Sequence, residues 1–383
     1  MNYSELFAAI DALEEEYIRF WEDICLLESP TSFKAGVDAV GEFCKKKAES
    51  LGWETETHYE EVSGNAVCIT MNPTAPKAAV CFSGHMDTVQ SVGSCGTPAV
   101  HKDDTYIYGP GVKDCKGGIV ASFLAMEALQ RCGFTARPIK LILQSDEENS
   151  AATSNQNTIR FMAEKAQGCE VFLNTEGYNA HKAVLWRKGI GKYRFSITGE
   201  SSHASRCARE GASAIREAAC KILQIEENKD EDGITMSCGT ITGGTVVNVI
   251  PEKCEFSVDV RFATTQQMDE ADAFLQRLAD TVFVTGCTTE LTCLSRRPPM
   301  PKEERNFAML DRINAIFEEA GLPVMKASGT LGGSDAANLT VAGITCVDSM
   351  GVTGDRTHSI RERALLCSLK ECARRLSAAA LGL

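Results

Sequence analysis

Ala79-Val80-Cys81-Phe82-Ser83-Gly84-His85-Met86-Asp87 is a short apolar run that ends in an imidazole and a carboxylate. The run reads as a buried strand. The same arrangement recurs along the chain. Glu147 and Glu148 follow Ile139-Lys140-Leu141-Ile142-Leu143, Glu176 follows Val171-Phe172-Leu173, and His358 lies beyond Ile344-Thr345-Cys346-Val347. Asp114 opens a Gly-rich turn into a helix. Open α/β sheets bind ligands at the carboxyl ends of their strands. Imidazoles and carboxylates that repeatedly terminate strands therefore predict a metal site at that edge.

Working outward, Leu6, Ile10, Leu13, Tyr17, Phe20, Trp21 and Ile24 recur at helical spacing and predict a helix over 5–27, broken by Glu28-Ser29-Pro30-Thr31. A second helix is expected over 37–51 and a third after Gly117-Gly118, carrying Phe123, Leu124, Met126 and Leu129. Strands alternating with helices up to Glu176 predict a mostly parallel sheet covered by helices. From about Lys182 the order changes to strand (193–197), helix (212–224), two strands (234–242 and 255–261), helix (266–280) and strand (289–294). That β-α-β-β-α-β order is the ferredoxin-like split arrangement. Arg296-Arg297-Pro298-Pro299-Met300-Pro301 reads as a stiff return hinge. The expected organisation is a discontinuous domain, 1–181 and 298–383, interrupted by an inserted domain, 182–297.

A chain of 383 residues exceeds one ordinary core, so two domains are the default. Its net charge of -13 disfavours a nucleic-acid partner and an anionic membrane surface. No stretch has the length and apolarity of a membrane span, and Met1 to Trp21 is acidic and amphipathic, unlike a signal peptide; a cytoplasmic protein is expected. The 17 cysteines are scattered and none are two residues apart, so zinc knuckles and redox pairs are unsupported. Most should be small buried hydrophobes in a reducing compartment. Cys115, beside Asp114, is the one candidate for reactivity.

A hydrolytic metal site needs imidazole or carboxylate ligands, an open position for water and a nearby base. Asp87, two residues after His85, can share its face, accept the second ring N–H and fix the tautomer. The two oxygens of Asp114 suit a bridge between paired metals. Of the adjacent Glu147 and Glu148, one can bind metal while the other serves as base. His58, His101 and His181 have no such context and read as ordinary surface or core residues.

Ser83-Gly84-His85-Met86-Asp87-Thr88-Val89, Gly109-Pro110-Gly111-Val112-Lys113-Asp114-Cys115-Lys116-Gly117-Gly118 and Asp146-Glu147-Glu148 together resemble the signature of the co-catalytic zinc metallopeptidases. That family includes glutamate carboxypeptidase, acetylornithine deacetylase, succinyl-diaminopimelate desuccinylase and aminoacylase. The resemblance covers nearly the whole chain in order. It implies a zinc-exopeptidase-like α/β domain and an inserted ferredoxin-like dimerisation or lid domain. It also implies two Zn2+ per chain, with Co2+ or Mn2+ as substitutes: His85 on one ion, His358 on the other, Asp114 bridging, and Glu148 and Glu176 completing the shells. Glu147 becomes the general base and Asp87 the residue that orients His85. His203, in Gly199-Glu200-Ser201-Ser202-His203-Ala204, matches a histidine that reaches the active site across a homodimer. Asn248 and Arg261 match positions that hold a substrate carboxylate. Gly332-Gly333-Ser334-Asp335-Ala336 resembles the substrate loop of the glutamate carboxypeptidase branch.

The expected activity is hydrolysis of an amide next to a free carboxylate, on short peptides or N-acyl amino acids. Alternatives are a deacylase or dipeptidase of the same family, and a catalytically silent ligand-binding relative. Pro110 in place of the usual Arg, Glu176-Gly177-Tyr178 in place of Glu-Pro-Thr, and the lack of a proline after His203 depart from the pattern. These changes bear on the substrate pocket rather than the metals.

Overall fold

A computed structural model describes residues 2–179 and 181–383. The chain divides into two compact units. One runs to Trp186 and resumes over Lys302–Gly329 and Ser334–Leu383; the other comprises Arg187–Pro301 and Thr330–Gly333.

The first unit is built on a six-stranded sheet in the order Glu54–His58, Ala66–Met71, Ile139–Gln144, Val80–His85, Val171–Asn174, Cys346–Val347. The last four strands are mutually parallel, and the first two join antiparallel at one edge. Alternation decides which layer each strand residue meets. Val80, Phe82, Ile139, Leu141, Leu143, Val171 and Leu173 enter one large apolar core with the helices Tyr3–Leu26, Lys116–Arg131 and Ser368–Gly382. Cys81, Ile142, Phe172 and Cys346 point the other way and are equally buried. Burial on both faces explains the near-continuous apolar runs in the sequence. The helix Tyr3–Leu26 begins with a capping box between Asn2 and Glu5 and buries the periodic residues from Leu6 to Ile24. A further four-stranded sheet of very short segments (Gly354–Asp355, Arg363–Leu365, Tyr106–Tyr108, His101–Lys102) was not expected from the sequence.

The second unit has the order strand Gly189–Thr198, helix Ala214–Glu226, strands Thr235–Gly243 and Lys253–Phe262, helix Thr265–Asp280, strand Thr288–Arg297. Its sheet is antiparallel, with Lys253–Phe262 and Gly189–Thr198 at the centre and the other two strands as edges. Phe195, Phe256, Val258 and Val260 pack with Ala218, Ala271 and Leu275 of the two helices. This is the ferredoxin-like arrangement. Among the described residues no helix is long and apolar enough to cross a membrane.

Candidate active site

The carboxyl ends of the central strands of the first unit gather seven of the predicted residues. His85 is the last residue of its strand, and Glu176 follows Val171–Asn174. Glu147 and Glu148 lie on a 3-10 turn, Glu147–Asn149, rather than on the strand itself. Asp114 ends the turn before the helix Lys116–Arg131. That helix packs closely because two glycines lack side chains: a Cβ on Gly118 would sit 2.3 Å from the carbonyl oxygen of Thr175, just past the strand Val171–Asn174, and one on Gly117 2.4 Å from that of Val112 in the turn itself. The Asp114–Cys115 peptide is cis. Trp21, on the first helix, donates its Nε1–H to the Val112 carbonyl (3.1 Å) and holds the turn from below. His358 has φ 61, a left-handed conformation that a non-glycine residue keeps only when its surroundings impose it.

Two groups of potential metal ligands share Asp114. His85, Asp114 and Glu176 form one, and Asp114, Glu148 and His358 the other; within each, the ligand atoms lie within 4.8 Å of one another. Asp114 turns Oδ1 to His85 Nε2 (3.1 Å) and Oδ2 to His358 Nε2 (3.2 Å). Glu176 Oε1 is 3.7 Å from His85 Nε2, and Glu148 Oε2 is 3.3 Å from His358 Nε2. His85 Nδ1 lies 2.9 Å from the backbone carbonyl of Asp87. A carbonyl only accepts, so Nδ1 carries the proton and Nε2 faces the carboxylates.

Asp87 differs in detail from the expectation. Its carboxylate is 3.4 Å from the ring, farther than its own carbonyl. It also accepts from the backbone amides of Glu147 (Oδ1, 3.1 Å) and Glu148 (Oδ2, 3.1 Å), and from the Thr31 hydroxyl (Oδ2, 2.7 Å). Asp87 therefore fixes the loop of the two glutamates as well as sitting beside the ring. Asp146 anchors the same loop, accepting from Ser154 N–H and the Thr158 hydroxyl (both 2.8 Å).

The electrostatics are those of acidic groups outnumbering nearby positive charge. Burial drives Glu176 well above the carboxylate range and Glu148 up to about 7. Hydrogen bonds that His358 donates to the Asp114 and Glu148 carboxylates lift it to about 10. Burial opposes the charge of His85, yet the neighbouring Asp114 and Asp87 carboxylates raise it well above its ordinary value. Burial likewise opposes ionisation of Asp114, but the two imidazoles hold it well below the carboxylate range. Bound cations reverse this logic and keep such carboxylates ionised. Imidazole and carboxylate donors in two sets around a shared aspartate fit a pair of ions of the Zn2+, Co2+ or Mn2+ type. Cys115 is fully buried, burial pushes its thiol up to about 12, and its sulfur accepts from His85 N–H (2.9 Å); it is not the reactive thiolate that the sequence allowed.

The remaining predicted residues belong to the second unit. His203 is exposed, its Nδ1 2.8 Å from the Ser205 hydroxyl, and its segment bridges antiparallel to Val249, next to the exposed Asn248. Arg261 is half-buried and its fork is already engaged: Nε and Nη2 donate to Asp259 (2.7 and 3.0 Å) and Nη1 to the Leu331 carbonyl (3.1 Å). The carbonyls of Gly332 and Gly333 accept from Arg187 Nη1 (3.1 and 2.9 Å). Asp259, Arg187, Thr31 and the buried Glu362 were not singled out in the sequence. Asp259 carried a signal, since it stands two residues before Arg261 on one strand face.

Residues 81–382 match peptidase family M20/M25/M40. Carboxypeptidase G2 of Pseudomonas sp. (strain RS-16) is 26% identical over 381 residues, covering 98% of this chain and 90% of that protein. A succinyl-diaminopimelate desuccinylase of Helicobacter hepaticus is 26% identical over 327 residues, covering 77% of this chain and 79% of the other. Among solved structures, a tripeptidase of Staphylococcus aureus superposes with a TM-score of 0.77 at 20% identity, covering 96% of this chain and 97% of that one. The match in sequence along most of the chain, the shared fold, and paired imidazole–carboxylate groups at the sheet edge agree: the chain belongs to peptidase family M20/M25/M40 and is a metal-dependent hydrolase acting on amide bonds.

Proposed function

We propose that the enzyme cleaves an amide bond next to a free carboxylate, as a carboxypeptidase does, on short peptides or N-acyl amino acids. The observation that carries this reading is the division of Asp114 between two ligand groups, with Glu147 on the turn beside them. His85, Asp114 and Glu176 would hold one Zn2+, and Asp114, Glu148 and His358 the other. When bound, such a pair supplies an acidified water and Lewis-acid polarisation of the carbonyl. Glu147 takes a proton from the attacking water and returns it to the leaving amine. Asp87 keeps Glu147 and Glu148 in place through their amides. Asn248 and Arg261 hold the substrate carboxylate. Asp259 occupies one edge of the Arg261 fork, so the substrate would share Nη1 with the Leu331 carbonyl. Gly332 and Gly333, pinned by Arg187, line the substrate site.

The domain 182–297 serves as lid and dimerisation domain, and 1–181 with 298–383 as the catalytic domain. Donation by His203 to the developing oxyanion, across a homodimer, completes the scheme. A homodimer is supported by the edge strand Thr235–Gly243 and the exposed Ile241, Val246 and Val247 on it and after it, since an open edge invites pairing. A cytoplasmic setting is supported by 17 cysteines, all free.

The test is hydrolysis of a panel of dipeptides and N-acyl amino acids with zinc, cobalt or manganese and a chelator control. Chelator-sensitive release of the C-terminal amino acid from peptides supports the carboxypeptidase reading. Release only from N-acyl amino acids moves the enzyme to the deacylases, and silence toward every free-carboxylate substrate refutes the proposal.

A further inference from the structure

Glu362 lies in Arg361-Glu362-Arg363, a charged stretch, yet it is 1% exposed. Its carboxylate accepts four hydrogen bonds. Oε1 takes the backbone amides of Lys113 (2.8 Å) and Asp114 (3.0 Å); Oε2 takes the amide of Gly111 (3.3 Å) and the side-chain Nε2 of Gln90 (2.8 Å). Its own backbone carbonyl accepts from Gly109 N–H (3.2 Å). Pro110 has no N–H, so every amide from 109 to 114 except that of Val112 ends on this one residue. A carboxylate offers about four acceptor sites, and here all are used. Glu362 also closes a turn onto the Ser359 carbonyl (3.1 Å), and Gln90 reaches the same carbonyl (3.4 Å), directly after His358.

We propose that Glu362 is a positioning residue that sets the Asp114 turn and the His358 segment in register, so that Asp114 and His358, two of the three ligands of the second group, are pre-arranged for a divalent ion. The inference rests on the metal reading given above. Only an acceptor-only side chain does this. A glutamine of the same size would turn an N–H₂ toward donors on one side and leave an amide of the Asp114 turn unpaired. Residues that orient metal ligands in this way typically contribute 10–100-fold to metal affinity.

The experiment is a competition titration of Zn2+ against a chromophoric chelator, using metal-stripped wild type, Glu362→Gln and, as a control, the exposed neighbour Arg361→Gln. Circular dichroism of the stripped proteins reports the fold. Glu362→Gln should bind zinc about 10–100-fold more weakly while its spectrum matches wild type, and Arg361→Gln should bind as wild type does. Undiminished affinity in folded Glu362→Gln overturns the assignment. So does loss of the folded state, because the carboxylate would then serve the fold rather than the ligands. A wild-type chain that takes up no zinc would remove the metal reading itself, and this inference with it.

Discussion

Each unit holds a cluster of buried charge, and the two clusters are satisfied in opposite ways. In the second unit Glu217 and Lys221 are 1% and 0% exposed and form an ion pair of 3.1 Å. Everything they need comes from the chain. Lys221 Nζ donates to the carbonyls of Leu278 (2.5 Å), Ala279 (3.3 Å) and Thr281 (2.6 Å), at the end of the helix Thr265–Asp280. Glu217 Oε2 accepts from the amides of Phe283 (2.9 Å) and Val284 (2.6 Å). In the first unit Asp114, Glu148 and Glu176 face two imidazoles, and burial drives Glu148 and Glu176 toward their protonated forms. One set of charges neutralises itself and fastens a loop. The other is acidic beyond its own means and calls for cations from outside. Burial alone therefore does not mark a functional charge; an unbalanced donor set does.

Substitutions can break that contrast. The largest effect is expected from Glu147→Ala, which should lower turnover by about 10²–10⁴-fold, the range for a general base, with metal content unchanged. Turnover near wild type would remove Glu147 from the chemistry. Lys221→Met should act on the fold instead. Leaving Glu217 buried without its partner costs about 3–5 kcal/mol, read by urea unfolding of the metal-loaded protein. Metal stoichiometry of the folded fraction should not move; a loss of bound metal would mean that the two sets of charges are not independent. His203→Ala should lower turnover about 10²–10³-fold while leaving zinc affinity alone. If the histidine acts across a dimer, mixing His203→Ala with Glu147→Ala chains should restore part of the activity. No recovery under proven subunit exchange would count against a shared site.

Much of this was legible in the sequence, for reasons that can be located. His85, Glu147, Glu148 and Glu176 stood out because each follows an apolar run long enough to read as a buried strand, and buried parallel strands end where ligands bind. The β-α-β-β-α-β order of the second unit was readable because its strands, from Thr235–Gly243 to Thr288–Arg297, are long and its helices amphipathic. Two- and three-residue strands such as His101–Lys102 and Arg363–Leu365 carry no periodicity and were invisible. Glu362 was invisible for a different reason. Flanked by two arginines it reads as surface, and only the tertiary fold brings it beneath the amides of Gly111, Lys113 and Asp114. Asp87 was legible as a neighbour of His85, but its grip on the Glu147–Glu148 amides spans 60 residues of sequence and has no local signature.

The shared aspartate is the centre of the account, and zinc stoichiometry tests it directly. Wild type, Glu148→Gln and Asp114→Asn would be stripped, reloaded with zinc, freed of excess ion and assayed for bound metal by elemental analysis. The account predicts two ions per wild-type chain, one in Glu148→Gln, and loss of both in Asp114→Asn, with all three proteins folded. Retention of both ions by Asp114→Asn would contradict it.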